Sequence, residues 1–370
     1  MKSYPVNSIP PGSYFSRPVY LDEEFVLAAP EMSFSPELIK TVEKWGFKTV
    51  SSEGEPGKYY TVESYGEAAF GENEYIRQAE KFYRDLRDSV EKFFRQAAEP
   101  DGISFNAAVE KIKASLDIIR DDRRYLLRIQ KNTGPGEDGN YLVTHTVWST
   151  IIAIIIGMYL KLPNHRLIEL GVSALFHEIG MIKLPPEIYL SKRPLSPPER
   201  KAILTHTLLG YNMLKSFKFP ISVCIGALEH HERENGLGYP RRLTPDKISL
   251  YAKIIAVACS YEALSSHRPH REAKDGYTGM LELLKNEGNQ YDETVIRALV
   301  YSLSIYPIGL YVLLSNGKRG QVVDVNPEKP RFPVVQILEE FTPEGLNRTL
   351  ETSEEGVRVE RPLTREEMGV

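Results

Sequence analysis

Histidines are concentrated in one part of this sequence, and one of them is followed by a carboxylate residue. The chain contains eight histidines, and six of them lie between positions 145 and 231. One of these, His177, is followed directly by the carboxylate of Glu178. Neutral imidazole is a common ligand of transition metals. A carboxylate can bridge two ions whereas an imidazole normally binds one, so the pair predicts a metal centre.

Five of these histidines stand in short motifs that follow one another in a definite order. The motifs are His145, FHEIG with His177 and Glu178, THTLLG with His206, EHHERENGLGYP with His230 and His231, and VACSYEALSSHRPHR. This order resembles the HD-GYP subgroup of the HD-domain metal-dependent phosphohydrolases. The resemblance covers roughly residues 125–338, and its most specific piece is Gly238-Tyr239-Pro240.

The resemblance implies an activity and a set of site residues. It implies an enzyme of bacterial signalling that hydrolyses cyclic di-GMP to pGpG or GMP at a centre of two divalent ions, iron or manganese. Two such cations polarise water and neutralise the charge that develops on a phosphate. The roles that it implies are catalysis by His177 and Glu178, phosphate contacts by Arg268 and Arg271, substrate contacts by Gly238, Tyr239 and Pro240, and metal ligation by His145, His177, Glu178, His206, His230, His231 and Cys259.

The sequence departs from the family pattern at several polar positions. Glu178 stands where the family has a bridging Asp, and its extra methylene adds about 1.5 Å of reach. Met181 replaces a lysine, and Asn235 replaces an Asp close to the GYP residues. Cys259 falls on a second ligand Asp; a thiolate there would admit zinc, but a cysteine in an apolar helix also reads as a small core residue. Tyr141 stands where trinuclear members have Glu, which argues against a third ion.

Three functions remain open from the residues. The first is a cyclic di-GMP phosphodiesterase. The second is a catalytically weak or inactive homologue that binds cyclic di-GMP or a signalling partner as a sensor or scaffold, as the changes at Glu178, Met181 and Cys259 suggest. A diguanylate cyclase domain that contacts the GYP segment is one such partner. The third is hydrolysis of another phosphate ester, as in HD-domain nucleotidases.

Some further polar residues have two interpretations each. His267 and His270 flank the basic motif and either touch a ligand or belong to a solvated loop. Arg241 and Arg242 follow the GYP residues and are either phosphate contacts or exposed charges. Glu262 lies one helical turn after Cys259 and aligns with a family Asp, so it reads as a structural residue or as a neighbour of the ligands.

Helices must position the metal ligands, because the chain from Tyr141 to about Leu299 has almost wholly helical periodicity. The fold prediction is therefore a mainly α protein with an HD-domain helical bundle at its core. The most hydrophobic stretch, Thr146 to Leu160, has 15 residues. A membrane span needs roughly 18 to 20, so this stretch predicts a buried core helix.

Other elements are predicted on both sides of this bundle. Residues 8–50 indicate a small α+β unit, similar to a domain often found ahead of HD-GYP domains. Amphipathic helices over 73–98 and from Ser104 to Lys131 either form a dimerising coiled coil or pack on the next domain. A period-two pattern over 311–338 predicts a short C-terminal β hairpin or small antiparallel sheet, followed by a loose polar tail. The predicted domains are 1–72, an α+β domain with a linker; 73–131, a helical connector; 132–340, the HD-GYP-like domain; and 341–370, the tail.

Composition restricts the class of protein. The 370 residues are 42% hydrophobic and 26% charged, with a net charge of −4, so no overall positive field favours a nucleic acid polymer. Two cysteines cannot form a disulfide framework, which fits a reducing compartment. The N-terminal residues lack the apolar segment of a secretory signal. The sequence therefore predicts a cytoplasmic protein with no membrane span, as a monomer or a homodimer.

Overall fold

The fold is that of a computed structural model of the 370-residue chain. The structure describes residues 2–9, 14–15, 19–21, 26–28, 34, 36–53, 56–57, 67–130, 140–191, 193–266, 276–326, 328–341, 347–363 and 367. The chain divides into two compact units, Met1–Tyr75 with Phe341–Leu346, and Ile76–Glu340 with Asn347–Val370. The predicted domain limits stay a prediction.

The first unit is a small α+β structure built on antiparallel strands. Its elements are β1 Lys2–Pro5, β2 Tyr14–Phe15, β3 Val19–Tyr20, β4 Val26–Ala28, α1 Pro36–Lys44, β5 Thr49–Ser52 and β6 Pro56–Gly57. Four strands form a sheet in the order β1-β5-β3-β4, and β2 pairs with β6. The apolar side chains of Phe15, Phe34 and Val42 are buried in its core.

The second unit is mainly helical. Its helices are α2 Glu67–Gln96, which begins before the unit boundary, α3 Phe105–Asp121, α4 Arg123–Gln130, α5 Tyr141–Tyr159, α6 Asn164–Leu175, α7 Pro186–Tyr189, α8 Pro197–Ile203, α9 His206–Ser216, α10 Ile221–Glu229, α11 Leu250–Ser265, α12 Gly276–Lys285 and α13 Glu293–Leu303. A short 3-10 turn, Ile179–Lys183, follows α6. The mainly α fold with a small N-terminal α+β unit confirms the predicted fold class.

Helix α5 lies at the centre of this bundle, packed against α3, α6, α11 and α13. The side chain of Asn140 caps its first turn by accepting a hydrogen bond from the Leu142 amide. The helix is long and apolar enough to cross a membrane by length and composition, but 83% of its most apolar 18-residue stretch is buried inside the protein. This burial is that of a core helix, as the sequence predicts.

The segment from Ser104 to Lys131 was predicted as one helix, and this prediction was wrong in its middle. Helix α3 ends at Asp121 and α4 begins at Arg123. The amide of Asp122 donates to the Ile118 carbonyl, and its own carbonyl accepts from the amides of Tyr125 and Leu126. Asp122 therefore ends one helix and begins the next.

Five strands close the second unit as a small sheet. They are β7 Tyr311–Leu314, β8 Arg319–Asp324, β9 Val334–Phe341, β10 Asn347–Glu351 and β11 Val359–Pro362, in the order β10-β9-β8-β7-β11. The predicted hairpin corresponds to β7 and β8, and its turn contains Gly317 at a φ of +79°. The loose tail was a wrong prediction over 347–362, because β10 and β11 pair with β9 and β7.

Candidate metal centre

The predicted histidine ligands come from separate elements of the second unit. His145 lies on α5, His177 and Glu178 lie in the turn after α6, and His206 is the first residue of α9. His230 and His231 directly follow α10. All of these side chains are buried except that of His231, which is partly exposed. Residues that are far apart in the sequence thus meet inside the helical bundle.

A glycine allows two of these elements to approach closely. Gly180 packs on the start of α9, where a Cβ atom would lie 1.9 Å from the His206 carbonyl oxygen and 2.6 Å from the Gly210 nitrogen. Both are backbone atoms, which cannot turn aside as the end of a flexible side chain can. The missing side chain of Gly180 therefore brings the turn with Glu178 against the helix with His206.

The donor atoms form two groups that share Glu178. One group contains His145, His177 and Glu178, and the other contains Glu178, His206, His230 and His231; within each, the donor atoms lie within 4.8 Å of one another. The Oε1 atom of Glu178 is 3.7 Å from His145 Nε2 and 3.9 Å from His177 Nε2. Its Oε2 atom is 3.5 Å from His206 Nε2. The two oxygens of one carboxylate thus face the two groups.

Backbone carbonyls fix the orientation of three of the imidazole rings. In each case Nδ1 lies at hydrogen-bond distance from the carbonyl oxygen three residues earlier. The pairs are His177 with Ala174 at 2.7 Å, His206 with Ile203 at 2.6 Å, and His230 with Ala227 at 2.7 Å. A proton on Nδ1 leaves the Nε2 lone pair available to a metal. The Nε2 atoms of His206 and His230 lie 3.3 Å apart.

Burial keeps several of these rings in the neutral form. It lowers the pKa of His177 to about 4, against the attraction of Glu178, which raises it. Burial also holds the pKa of both His230 and His231 well below 6.5, and the neighbouring histidines lower these values further. These imidazoles are therefore unprotonated at neutral pH, as metal ligands must be.

The donor set fits a divalent metal ion. The buried Nε2 atom of His177 has no hydrogen-bond partner among the described residues. A buried polar atom without a partner is energetically unfavourable in an otherwise packed protein, and a metal ion would remove that penalty. Imidazole nitrogens and carboxylate oxygens together suit iron, manganese or zinc.

The GYP segment lies against the histidines. The ring of Tyr239 stacks on that of His231, with centroids 4.6 Å apart and an interplanar angle of 20°. A Cβ atom on Gly238 would lie 2.4–2.6 Å from backbone atoms of Glu232 and Arg233, so the turn requires glycine. The peptide bond between Tyr239 and Pro240 is cis. The segment therefore places an aromatic side chain beside the candidate metal centre.

Glu232 anchors the GYP segment, a role that the sequence did not reveal. Its buried carboxylate accepts hydrogen bonds from the amides of Arg241 at 2.7 Å and Leu243 at 2.9 Å. The guanidinium group of Arg241 pairs with Glu229. The Arg241 side chain thus contacts the end of α10, and a phosphate contact by Arg241 stays a prediction. Only the position of Glu232 directly after the histidine pair could have drawn attention to it.

Some predicted site residues are not brought into the donor groups. Cys259 lies buried on α11, where its thiol contacts the Ala256 carbonyl oxygen at 3.5 Å. Among the residues that the structure describes, neither donor group includes Cys259. Arg268 and Arg271 lie outside the described residues. The roles of these three residues stay predictions.

Sequence comparisons match part of the helical bundle to a known family. Residues 135–295 match the family described as HD domain. A cyclic di-GMP phosphodiesterase of Borreliella burgdorferi is 26% identical over 55% of this chain and 54% of its own length. A cyclic di-GMP phosphodiesterase of Pseudomonas aeruginosa is 29% identical over 72% of this chain and 63% of its own length.

A solved structure resembles most of the chain at lower similarity. A Bdellovibrio bacteriovorus protein described as an HDG"Y"P protein is 16% identical, with a TM-score of 0.47, over 80% of this chain and 97% of that one. The chain spans about half to two thirds of the length of the two curated relatives. Residues 135–295 thus match the HD domain, and these relatives together with the Gly238-Tyr239-Pro240 motif support an HD-GYP domain in this chain.

Proposed function

We propose that this chain is a metal-dependent phosphodiesterase that hydrolyses cyclic di-GMP to pGpG or GMP at a dinuclear centre. The observation that carries the proposal is the position of Glu178 between two groups of donor atoms. The curated relatives described above support the substrate, because both are named as cyclic di-GMP phosphodiesterases. Iron and manganese are the proposed ions.

The proposed ligands divide between two ions. His145 and His177 would hold one, His206, His230 and His231 the other, and Glu178 both. When bound, such ions act as Lewis acids that lower the pKa of a bound water and neutralise charge on a phosphate. Cys259 stays a predicted ligand, and a thiolate there would add zinc to the candidate metals.

The chain's own residues would orient the substrate. Tyr239 presents an aromatic face beside His231, which suits stacking with a guanine base. Burial raises the pKa of the Tyr239 hydroxyl, so it keeps its proton and can donate a hydrogen bond to a phosphate oxygen. Arg268 and Arg271 are the proposed phosphate contacts, since guanidinium groups bind phosphate oxygens in pairs.

One observation favours the second function, a weak or inactive homologue that binds cyclic di-GMP or a signalling partner. Cys259 stands at the family's second ligand Asp, yet among the described residues it belongs to neither donor group. The buried side chain of Met181 also supplies no charge where the family has lysine. A centre with fewer metal ligands for one ion would still bind cyclic di-GMP but would hydrolyse it more slowly.

Hydrolysis of cyclic di-GMP separates the two functions. Protein purified without oxygen and loaded with Fe(II) or Mn(II) is incubated with cyclic di-GMP, and the products are separated by chromatography. We expect metal-dependent formation of pGpG or GMP that disappears in the His177→Ala variant. Absence of turnover in a sample with verified metal would contradict the proposal, and binding of cyclic di-GMP by that sample would favour the second function.

The remaining parts of the proposal concern the cell. A cytoplasmic location would place the site where cyclic di-GMP is made and degraded. The GYP segment is the proposed contact for a diguanylate cyclase domain, and a homodimer is the proposed assembly. Co-purification of this chain with a diguanylate cyclase domain tests the proposed contact. A variant changed in the GYP segment is the control.

A further inference from the structure

A carboxylate from a neighbouring helix contacts one of the proposed ligands. Glu262 on α11 pairs with the Nδ1 atom of His145 on α5. The Glu262 side chain is buried, with 1% of the residue exposed, and α5 and α11 pack directly against each other. Ser149, one helical turn after His145, also lies 3.5 Å from the same nitrogen. Neither donor group includes Glu262.

This contact differs from those of the other oriented rings. His177, His206 and His230 each have a neutral backbone carbonyl at Nδ1, whereas His145 has a carboxylate. A carboxylate at Nδ1 fixes the proton on that nitrogen and increases the electron density of the ring. Both effects strengthen binding of a metal at Nε2, the nitrogen that faces Glu178 at 3.7 Å.

We propose that Glu262 is a positioning residue that strengthens the binding of one metal ion, the one held by His145, His177 and Glu178. The inference rests on the proposed function. Among the described residues, this donor group has two histidines and the shared carboxylate, whereas the other group has three histidines and the same carboxylate. The group with fewer ligands therefore depends more strongly on a well-oriented His145.

The position of Glu262 on its helix supports this role. It is buried on α11, one turn after Cys259. Helix α11 thus carries a carboxylate directed at a proposed ligand histidine. An acceptor of this kind contributes roughly 10- to 100-fold to metal affinity in other metal sites.

Metal binding without substrate tests the inference. Binding of Mn(II) to the full chain is measured by equilibrium dialysis, with bound metal quantified, for the wild type and for the variants Glu262→Ala and Glu262→Gln. We expect two binding steps in the wild type. Glu262→Ala should weaken one step by about 10- to 100-fold and leave the other unchanged. Glu262→Gln retains an acceptor oxygen for Nδ1, so it should lie between the two.

Two further variants, His145→Ala and His230→Ala, show which Mn(II) binding step Glu262 affects. In His145→Ala, the added Glu262→Ala change should cause no further loss, because the ligand on which it acts is already absent. In His230→Ala, the same change should weaken the remaining step by 10- to 100-fold. This dependence on the background separates a positioning role from general destabilisation.

Folding and function are controlled separately. Glu169→Gln is the matched control, because Glu169 accepts hydrogen bonds from Ser222 and Tyr251 away from the centre. If Glu262→Ala is insoluble, Glu262→Gln alone tests the inference, by whether it weakens one Mn(II) binding step and leaves the other unchanged. Unchanged binding in both Glu262 variants, or equal weakening of both steps, would overturn the inference. A wild type that binds no Mn(II) would instead overturn the proposed function.

Discussion

At the centre of the histidine cluster, Glu178 presents one carboxylate oxygen to each donor group. The distances of 3.5–3.9 Å to the surrounding Nε2 atoms leave space for ions between the side chains. The family has Asp here, and the longer Glu side chain still reaches both groups. One residue therefore links the two halves of the proposed centre.

Glu178→Gln should remove the negative charge while keeping the size of the side chain. We expect a loss of cyclic di-GMP hydrolysis of about 100-fold or more, since two ions supply several kcal/mol of charge stabilisation. Metal content per chain should fall in parallel. Steady-state rates and metal analysis on the same sample give both values, with Glu169→Gln as control. Full activity in Glu178→Gln would remove this residue from the centre.

At the residue scale, the sequence predicted the histidines and Glu178 because each stands in a short motif. The contact of Glu262 with His145 could not be predicted in the same way. It depends on which side of α11 faces α5, and both helices are apolar around almost their whole circumference. The packing of the bundle, rather than local periodicity, decides that orientation.

At the scale of elements, the contact between the 3-10 turn and α9 brings Glu178 to His206. Gly180→Ala would place a methyl group 1.9 Å from the His206 carbonyl oxygen. We expect a loss of about 2–3 kcal/mol in the free energy of unfolding and weaker metal binding, measured by urea denaturation and dialysis.

A second glycine provides the control for this prediction. A Cβ atom on Gly279 of α12 would lie 3.4 Å from its nearest neighbour, an ordinary contact distance. Gly279→Ala should leave stability unchanged or raise it by up to about 1 kcal/mol, because alanine favours helix. Equal effects of the two substitutions would show that the turn does not depend on a missing side chain at Gly180.

Helices α6 and α11 are joined by a hydrogen bond from the Tyr251 hydroxyl to Glu169. Burial and this contact raise the pKa of Tyr251 to about 12, although Arg166 lowers it. The unfolded chain therefore loses the Tyr251 proton first, and the stability present below pH 10 is lost as the pH rises towards 12.

The corresponding measurement compares the wild type with Tyr251→Phe in urea at pH 9 and pH 11. The wild type should lose about 1 kcal/mol relative to the variant between these values. A stability difference that stays constant with pH would mean that the Tyr251 pKa is not raised in the folded protein.

At this scale, helical periodicity predicted the bundle but not all of its boundaries. The break at Asp122 was missed because apolar residues continue at helical spacing on both sides of it. The strands β10 and β11 were missed because the tail is polar; β10 pairs with β9, which precedes it, whereas β11 pairs with the distant strand β7. The long-range pairing of β11 with β7 leaves little trace in the local sequence.

For the whole molecule, the proposed centre joins α5, α9, the turn after α6 and the residues after α10, so metal binding should stabilise the entire second unit. Mn(II) at 100 times its dissociation constant should raise the free energy of unfolding by about 2.7 kcal/mol for each site. Urea denaturation with Mn(II) and with a chelator measures this difference. His177→Ala should show a smaller rise, and an equal rise in the wild type and this variant would place the metal elsewhere.

The central claim is that two ions in this cluster carry out phosphodiester hydrolysis. The most direct test titrates metal-free protein with Mn(II) or Fe(II) and follows bound metal and cyclic di-GMP hydrolysis in the same samples. We predict little turnover with one ion bound per chain and a steep rise as the second binds. Full turnover at one ion per chain, or turnover independent of metal, would contradict a dinuclear centre.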